Sequence, residues 1–73
     1  MPEEKITFEI VQELGTLSEG KSWNKELNIV KWGDNPAKFD IRSWNKDHTR
    51  TGKGITLDAE EIRKLKEILN MFE

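Results

Sequence analysis

The sequence contains no cysteine and only one histidine, His48, among its 73 residues. Without cysteine the chain forms neither a disulfide framework nor a thiolate metal site, and one histidine cannot complete a histidine-based zinc site. The aspartates are scattered without the spacing of a metal-binding loop. No serine is placed as a nucleophile beside His48. We therefore expect no metal, no cofactor and no enzymatic activity.

Long apolar runs are also missing, and no stretch is apolar enough to span a membrane. The opening residues, "MPEEKITFEIVQEL", carry acids where a secretory leader requires a basic start and an apolar block. Together with the missing cysteines, this composition favours the reducing environment of the cytoplasm.

The chain is also short, so that residues 1–73 form one domain at most. A domain of this size buries only about 60% of the surface that its unfolded chain exposes. Small domains gain further stability from disulfides, metals or association with a second chain. Because the composition removes the first two, we expect a homodimer.

The net charge of −2 conceals an uneven distribution along the chain. Residues 1–20 hold one lysine against five glutamates, and residues 55–73 hold three basic against five acidic residues. Residues 21–54 hold eight basic against four acidic residues. A basic middle between acidic ends indicates a polyanionic partner, although a solvated surface is the commoner origin of a single charge run.

The N-terminal segment alternates as a β-strand does. Its even positions are predicted to point inward: Ile6, Phe8, Ile10 and Leu14. Gly15 interrupts this alternation and predicts a bulge or bend. The following "LSEGKS" reads as a turn.

Three further strands are predicted. In "WNKELNIVKW", Leu27 and Ile29 occupy one face while Val30 and Trp32 occupy the other, so we expect a bulge or a strong twist in this second strand. The turn-rich "GDNPAK" leads into a third strand, "KFDIRSWN", and the two strands form a hairpin. A polar loop, "KDHTRTGKG", precedes a short fourth strand, "GITL".

A helix closes the chain. Asp58 is placed as its N-cap and Glu61 completes a capping box, so that the helix begins at about Ala59. Its apolar residues recur at helical spacing and form a stripe for packing or pairing: Ile62, Leu65, Ile68, Leu69 and Phe72. The order β-β-β-β-α predicts an α+β fold, with one face of a four-stranded antiparallel sheet covered by the helix or by its dimer mate and the other open.

The third strand places an aromatic residue among cations. Alternation puts Phe39 and Ile41 on the core face and Arg42 and Trp44 on the opposite, solvent-exposed face. Trp44 in that position is either a cation–π partner of Arg42 or a stacking platform for a ligand. For an isolated tryptophan the first interpretation is the commoner one.

The repetition of this pattern favours nucleic acid. Trp23 and Trp32 lie at the ends of the second strand among lysines, although Trp23 could equally close the edge of the core. Lys53 stands between two glycines, as either a backbone contact or a simple surface lysine. Cations that follow phosphates and flat rings that stack on bases are the requirements of single-stranded nucleic-acid binding. The candidate binding residues are Lys21, Trp23, Lys25, Lys31, Trp32, Lys38, Arg42, Trp44, Lys46, Arg50 and Lys53.

Two alternatives remain open at this point. The acidic helix and first strand could instead form a protein interaction module for a basic partner, with the tryptophans merely structural. RNA binding is the other alternative, because nothing in the sequence is seen to read a 2′-hydroxyl. Duplex DNA fits less well, since no helix carries a basic face for a major groove.

The segments "KFDIRSW", "GKGITL" and "DAEEIRKLKEIL" resemble, in this order, the C-terminal domain of the transcriptional positive cofactor four (PC4) family. With "LSEG" and "ELN" included, the chain is similar to short bacterial members of the YdbC type over nearly its whole length. This resemblance implies curved sheets that form a groove for single-stranded DNA, and a homodimer joined through its helices. By position, Arg42 matches the third-strand arginine of the family and Lys53 the lysine before Gly-Ile.

Two tryptophans are also carried over by this resemblance. Trp32 stands where the family has an aromatic residue near the end of the second strand. Trp44 stands where the eukaryotic domain has two aromatic residues in succession. The resemblance thus implies a largely sequence-independent single-stranded DNA-binding protein, with a role in transcription, replication or repair.

Overall fold

The computed structural model describes residues 7–72 as a four-stranded sheet followed by one helix. The elements are β1 (Phe8–Glu19), β2 (Trp23–Trp32), β3 (Lys38–Asn45), β4 (Thr51–Leu57) and α1 (Ala59–Asn70). The strands lie in the order β1-β2-β3-β4, and each pairs antiparallel with the next. The predicted α+β fold is confirmed. The prediction for Ile6 lies outside the described residues.

β1 is the most irregular strand of the described sheet. Its register against β2 shifts between Ile10 and Gln12, between Glu13 and Gly15, and between Thr16 and Ser18. The second shift confirms the irregularity predicted at Gly15, whereas the other two were not predicted. Each leaves one residue without a partner and bends the strand, which increases the local twist.

The bulges change which side chains of β1 face inward. The unpaired residues are Val11, Leu14 and Leu17, and all three are exposed. The inward prediction was therefore wrong for Leu14, because it stands at a bulge. β1 also extends to Glu19, so the predicted turn shortens to residues 20–22, where the N–H of Gly20 donates to Trp23 O at 2.8 Å.

The ladder between β2 and β3 is regular from Trp23↔Asn45 to Val30↔Lys38. The expected bulge in β2 is thus wrong, and the irregularity belongs to β1. The register gives the sheet two distinct faces. The helix face carries Leu27, Ile29, Phe39 and Ile41; the aromatic face carries Asn24, Glu26, Asn28, Val30, Trp32, Asp40, Arg42 and Trp44. β4 begins at Thr51, three positions before the predicted "GITL".

The most buried side chains lie on the aromatic face, not on the helix face. Trp44, Val30 and Asp40 are 0% exposed, whereas Phe39 and Ile41 are half-buried. The prediction that Trp44 is displayed to solvent is therefore wrong. The bulged β1 places the Phe8 ring 5.1 Å from the Trp44 ring, and the β3–β4 loop places His48 at 5.6 Å. Residues far from Trp44 in the sequence thus cover it.

Helix α1 begins at Ala59 as predicted. The N–H of Glu61 donates to Asp58 Oδ1 at 2.8 Å and the N–H of Asp58 donates to Glu61 Oε1 at 2.9 Å, which completes the capping box. No side chain of the helix is fully buried. Within residues 7–72, no helix is both long and apolar enough to cross a bilayer.

Candidate nucleic-acid interface

An aromatic cluster occupies one end of the aromatic face. The rings of Trp32 and Trp44 are nearly parallel, at 11°, with their centroids 6.3 Å apart. Phe8 is tilted against both, at 5.7 Å from Trp32 and 5.1 Å from Trp44. Trp44 is fully enclosed, whereas Trp32 is only half-buried. A ligand can therefore reach Trp32 but not Trp44 in this arrangement.

Asp40 organises the polar groups beside these rings. Its fully buried carboxylate accepts hydrogen bonds from Arg42 Nε at 2.7 Å, from Trp32 Nε1 at 3.3 Å and from Thr56 Oγ1 at 3.1 Å. Arg42 is held so that its Cζ lies 4.7 Å from the centroid of the Trp32 ring. The cation–π partner of Arg42 is therefore Trp32, and not Trp44 as the parity of β3 suggested.

A close approach of β4 completes this part of the site. Gly54 lies opposite Arg42 in the β3–β4 ladder. A Cβ atom at Gly54 would collide with the Arg42 side chain and with the carbonyl oxygen of Ile41. Gly54 is thus required for β4 to pair here, because a larger residue would prevent the close approach of the two strands.

The β3–β4 loop is fixed by hydrogen bonds of Asn45. Asn45 Nδ2 donates to Thr49 Oγ1 at 2.8 Å, and Asn45 Oδ1 accepts from the N–H of Arg50 at 2.8 Å. His48 has a positive φ of 59°, an uncommon conformation for a residue other than glycine. These contacts direct the His48 ring toward Trp44 and place Thr49 beside the aromatic cluster.

Glu26 is a second buried carboxylate on this face, 5% exposed. It accepts from Asn28 Nδ2 at 3.0 Å and from His48 Nε2 at 2.9 and 3.0 Å. Burial by itself raises the pKa of Glu26, but the hydrogen bonds from Asn28 and His48, with the charge of His48, outweigh it. The pKa of Glu26 is therefore held below its ordinary value of 4.5.

This lowered pKa predicts a loss of stability in acid. A carboxyl whose pKa is depressed on folding stabilises the fold fully above its unfolded pKa, and this contribution disappears as the pH falls through the folded pKa. We expect the free energy of unfolding to decline as the pH is lowered below about 4.5. Urea unfolding followed by circular dichroism should show a shallower decline in Glu26→Gln. Glu19→Gln, at an exposed position, is the control and should retain the steep decline; equal slopes in both variants would contradict the assignment.

An open cleft of about 470 Å³ lies on the aromatic face. Two aromatic residues, one arginine and three threonines line it, namely Phe8, Trp32, Arg42, Thr49, Thr51 and Thr56. Trp32 and Thr56 also line an adjoining cleft together with Lys38. The two clefts therefore lie side by side, and together they place an aromatic surface beside two cations of β3.

The structure divides the predicted binding residues between the two faces and the loops. Trp32, Lys38, Arg42 and Trp44 share the aromatic face, whereas Trp23, Lys25 and Lys31 lie on the helix face. Lys21 and Arg50 are exposed in loops, and Lys53 lies at the register shift between β3 and β4. Lys46 Nζ donates to Gly20 O at 2.7 Å and to Asn24 Oδ1 at 2.8 Å, so it fastens the β1–β2 turn.

Several residues of the site were missed from the sequence. These are Phe8, Glu26, Asp40, His48, Thr49, Thr51 and Thr56. The parity of Phe8 was correct, but its contact with Trp32 depends on the register of β1 against β2. The three threonines carry no periodic signal that distinguishes them from other polar residues. Among residues 7–72, no group of three or more acidic or histidine side chains could hold a metal ion.

Comparison with known proteins agrees with this arrangement. A protein of Treponema pallidum (strain Nichols), described as "Uncharacterized protein", is 42% identical over 64 residues, which cover 86% of this chain and 75% of the relative. Residues 20–68 match the family described as "Transcriptional Coactivator p15 (PC4)", whose members are DNA-binding and transcription-coactivator-like. This match includes β2, β3 and β4 and most of α1, and thus every predicted binding residue. The chain therefore belongs to the transcriptional coactivator p15 (PC4) family of nucleic-acid-binding proteins.

Proposed function

We propose that the protein is a homodimeric single-stranded DNA-binding protein that acts in the cytoplasm. Its affinity depends little on the overall base sequence of the DNA. One observation carries this proposal: the exposed part of the Trp32 ring, the Phe8 ring and the Arg42 guanidinium line a single open cleft. Cations near the cleft attract the phosphates, while the rings offer a flat apolar surface on which an unpaired base can stack.

The geometry favours a single strand over a duplex. Bases inside a duplex are stacked on one another, so their flat faces cannot reach Trp32. A helix that enters a major groove presents basic residues to the DNA. Helix α1 instead has acidic residues in its first turn and no basic residue in its last turn. The sheet is therefore the element that fits nucleic acid.

Titration with oligothymidylate tests this function. We expect the tryptophan fluorescence to be quenched on binding and the affinity to fall as the salt concentration rises, because phosphate contacts release counterions. Trp32→Ala should weaken binding by about 1 to 3 kcal/mol through the loss of base stacking. Trp23→Ala is the matched control, because Trp23 lies on the helix face and should leave the affinity almost unchanged.

Two outcomes separate the competing functions. Unchanged fluorescence and no salt-dependent binding at micromolar protein would contradict the proposal and favour a protein interaction module. Equal or tighter binding of oligouridylate would indicate RNA as the ligand, because the two oligomers differ at the 2′-hydroxyl and the 5-methyl group.

The exposed apolar side of α1 supports the homodimer. Ile62 and Leu65 are half-buried beside Leu27, with which they line an apolar cleft. Ile68 and Leu69 are each 57% exposed and Phe72 is 78% exposed. Exposed apolar residues grouped on one element mark association surfaces. We infer that the predicted stripe of Ile62, Leu65, Ile68, Leu69 and Phe72 meets the same stripe of a second copy.

Sedimentation equilibrium tests this association. We expect the mass of a dimer, and Leu69→Lys should shift the protein toward monomer or unfold it, since a charge cannot be buried unpaired in the interface. Glu67→Lys adds a lysine at an exposed position of the same helix and serves as the control. A monomer at every accessible concentration of the unmodified protein would contradict the proposal.

A further inference from the structure

Each of the three threonines that line the cleft donates its hydroxyl hydrogen to another group of the protein. Thr51 Oγ1 donates to Ser43 O at 2.9 Å, Thr56 Oγ1 donates to Asp40 Oδ2 at 3.1 Å, and Thr49 Oγ1 donates to Asp47 Oδ1 at 2.8 Å. Carbonyl and carboxylate oxygens can only accept, so each hydroxyl must donate in this direction. Thr49 Oγ1 also accepts from Asn45 Nδ2 at 2.8 Å, which leaves it one lone pair, whereas Thr51 and Thr56 keep both. The threonines can therefore offer a ligand acceptor lone pairs but no donor.

Among the six side chains that line the cleft, only Arg42 has donors that no hydrogen bond within residues 7–72 engages. Trp32 Nε1 and Arg42 Nε both donate to Asp40, at 3.3 and 2.7 Å. Within residues 7–72, no hydrogen bond engages the two terminal nitrogens of Arg42. A guanidinium presents these N–H groups as a rigid planar fork. The cleft thus combines one forked donor with separate acceptor oxygens beside two aromatic rings.

We propose that this cleft selects guanine from the bases of a bound single strand, an inference that rests on the proposed single-stranded DNA binding. Guanine carries two neighbouring acceptors, O6 and N7, which match the fork of an arginine in a bidentate pair. Its adjacent edge carries N1–H and the N2 amino group, which are donors for the threonine oxygens. Guanine therefore satisfies both halves of the cleft at once.

The other bases leave part of the cleft unsatisfied. Adenine has an amino donor at N6 where guanine has O6, so a donor would face the donors of Arg42. Thymine carries a single N–H donor, and cytosine carries only its amino group. Each of these bases therefore makes fewer hydrogen bonds in the cleft than guanine does, which lowers its affinity relative to guanine.

The test compares four oligomers at one salt concentration. Each is an oligothymidylate of about ten nucleotides, within the range that a small domain covers, with dT, dG, dA or dC at its centre. Tryptophan fluorescence gives each affinity. We expect the dG oligomer to bind about tenfold more tightly than the all-dT oligomer, equivalent to about 1.4 kcal/mol. Replacing guanine by 7-deazaguanine removes N7, and replacing it by hypoxanthine removes the N2 amino group, so each should lose part of this advantage.

Protein variants assign the preference to the cleft. Arg42→Lys keeps the positive charge but removes the fork, and Thr51→Val removes one acceptor with little change of shape. Both should bring the ratio of dG to dT affinity toward one. Thr16→Val is the matched control, because Thr16 lies on β1 opposite Glu26 and does not line the cleft. We expect this control to retain the tenfold ratio.

The outcomes distinguish the two levels of inference. Equal affinity for all four oligomers overturns the guanine selectivity while the single-stranded DNA binding stands. A preference for guanine that survives unchanged in both Arg42→Lys and Thr51→Val overturns its assignment to this cleft. Failure of all four oligomers to bind overturns the proposed function, and the selectivity with it.

Discussion

Trp44→Ala is expected to lower the free energy of unfolding by about 3 to 5 kcal/mol. The Trp44 side chain is 0% exposed and contacts Phe8, Trp32 and His48. Its Nε1 has no hydrogen-bond acceptor within the described part of the chain, so packing alone holds the ring. Removing the ring leaves a cavity that the surrounding strands fill only in part. Urea unfolding followed by circular dichroism measures the loss.

Trp23→Ala is the matched control for this variant. Trp23 is 42% exposed and lies at the start of β2 on the helix face, so we expect a loss below about 1 kcal/mol. The comparison separates packing from ligand binding. If Trp44→Ala kept the stability of the unmodified protein and lost affinity for oligothymidylate, Trp44 would be a stacking platform and its burial here would not describe the free protein.

Asp40→Ala is expected to cost about 3 kcal/mol of stability, in the range found when one partner of a buried ion pair is removed. The substitution leaves three donors without their acceptor, from Arg42, Trp32 and Thr56. Trp32 Nε1 and Thr56 Oγ1 lose a hydrogen bond to a charged group, and such bonds are stronger than those between neutral groups. Arg42 is 16% exposed and recovers part of its hydration.

Two variants control for the Asp40 prediction. Asp34→Ala removes the same charge from an exposed turn and should change the stability by less than about 0.5 kcal/mol. Asp40→Asn keeps the shape and one acceptor oxygen, so its loss should lie between the two. Thermal or urea unfolding of the three variants gives the order. Equal stability of Asp40→Ala and Asp34→Ala would show that Asp40 does not hold Arg42 and Trp32 together.

The predicted and the observed site differ in the burial of Asp40 and Trp44. Alternation along β3 correctly placed Arg42 and Trp44 on one face, because side chains of a strand alternate regardless of the rest of the protein. It could not show which face is covered. The sequence treats Asp40 as one more charged residue on an exposed face, whereas the structure buries it as the acceptor of three hydrogen bonds.

The binding residues show the same division. Alternation within one strand cannot show that Lys25 of β2 and Arg42 of β3 lie on opposite faces of the sheet. This follows only from the register of β2 against β3, which pairs Lys25 with Ser43. The predicted set of cations was therefore drawn from both faces of the sheet. The contribution of Phe8 depends in addition on its pairing with Trp32 across the β1–β2 ladder.

By itself the sequence determined the order of the strands, the start of α1 and the family resemblance. These depend on residues close together in the chain: the capping box joins Asp58 and Glu61, and alternation is a property of neighbouring positions. Only the tertiary structure decided that Trp44 is enclosed and that the guanidinium of Arg42 lies over the Trp32 ring. The first depends on Phe8 of β1 and His48 of the β3–β4 loop, and the second on Asp40, which binds both Trp32 and Arg42. These are contacts between different strands and loops, which no local pattern specifies.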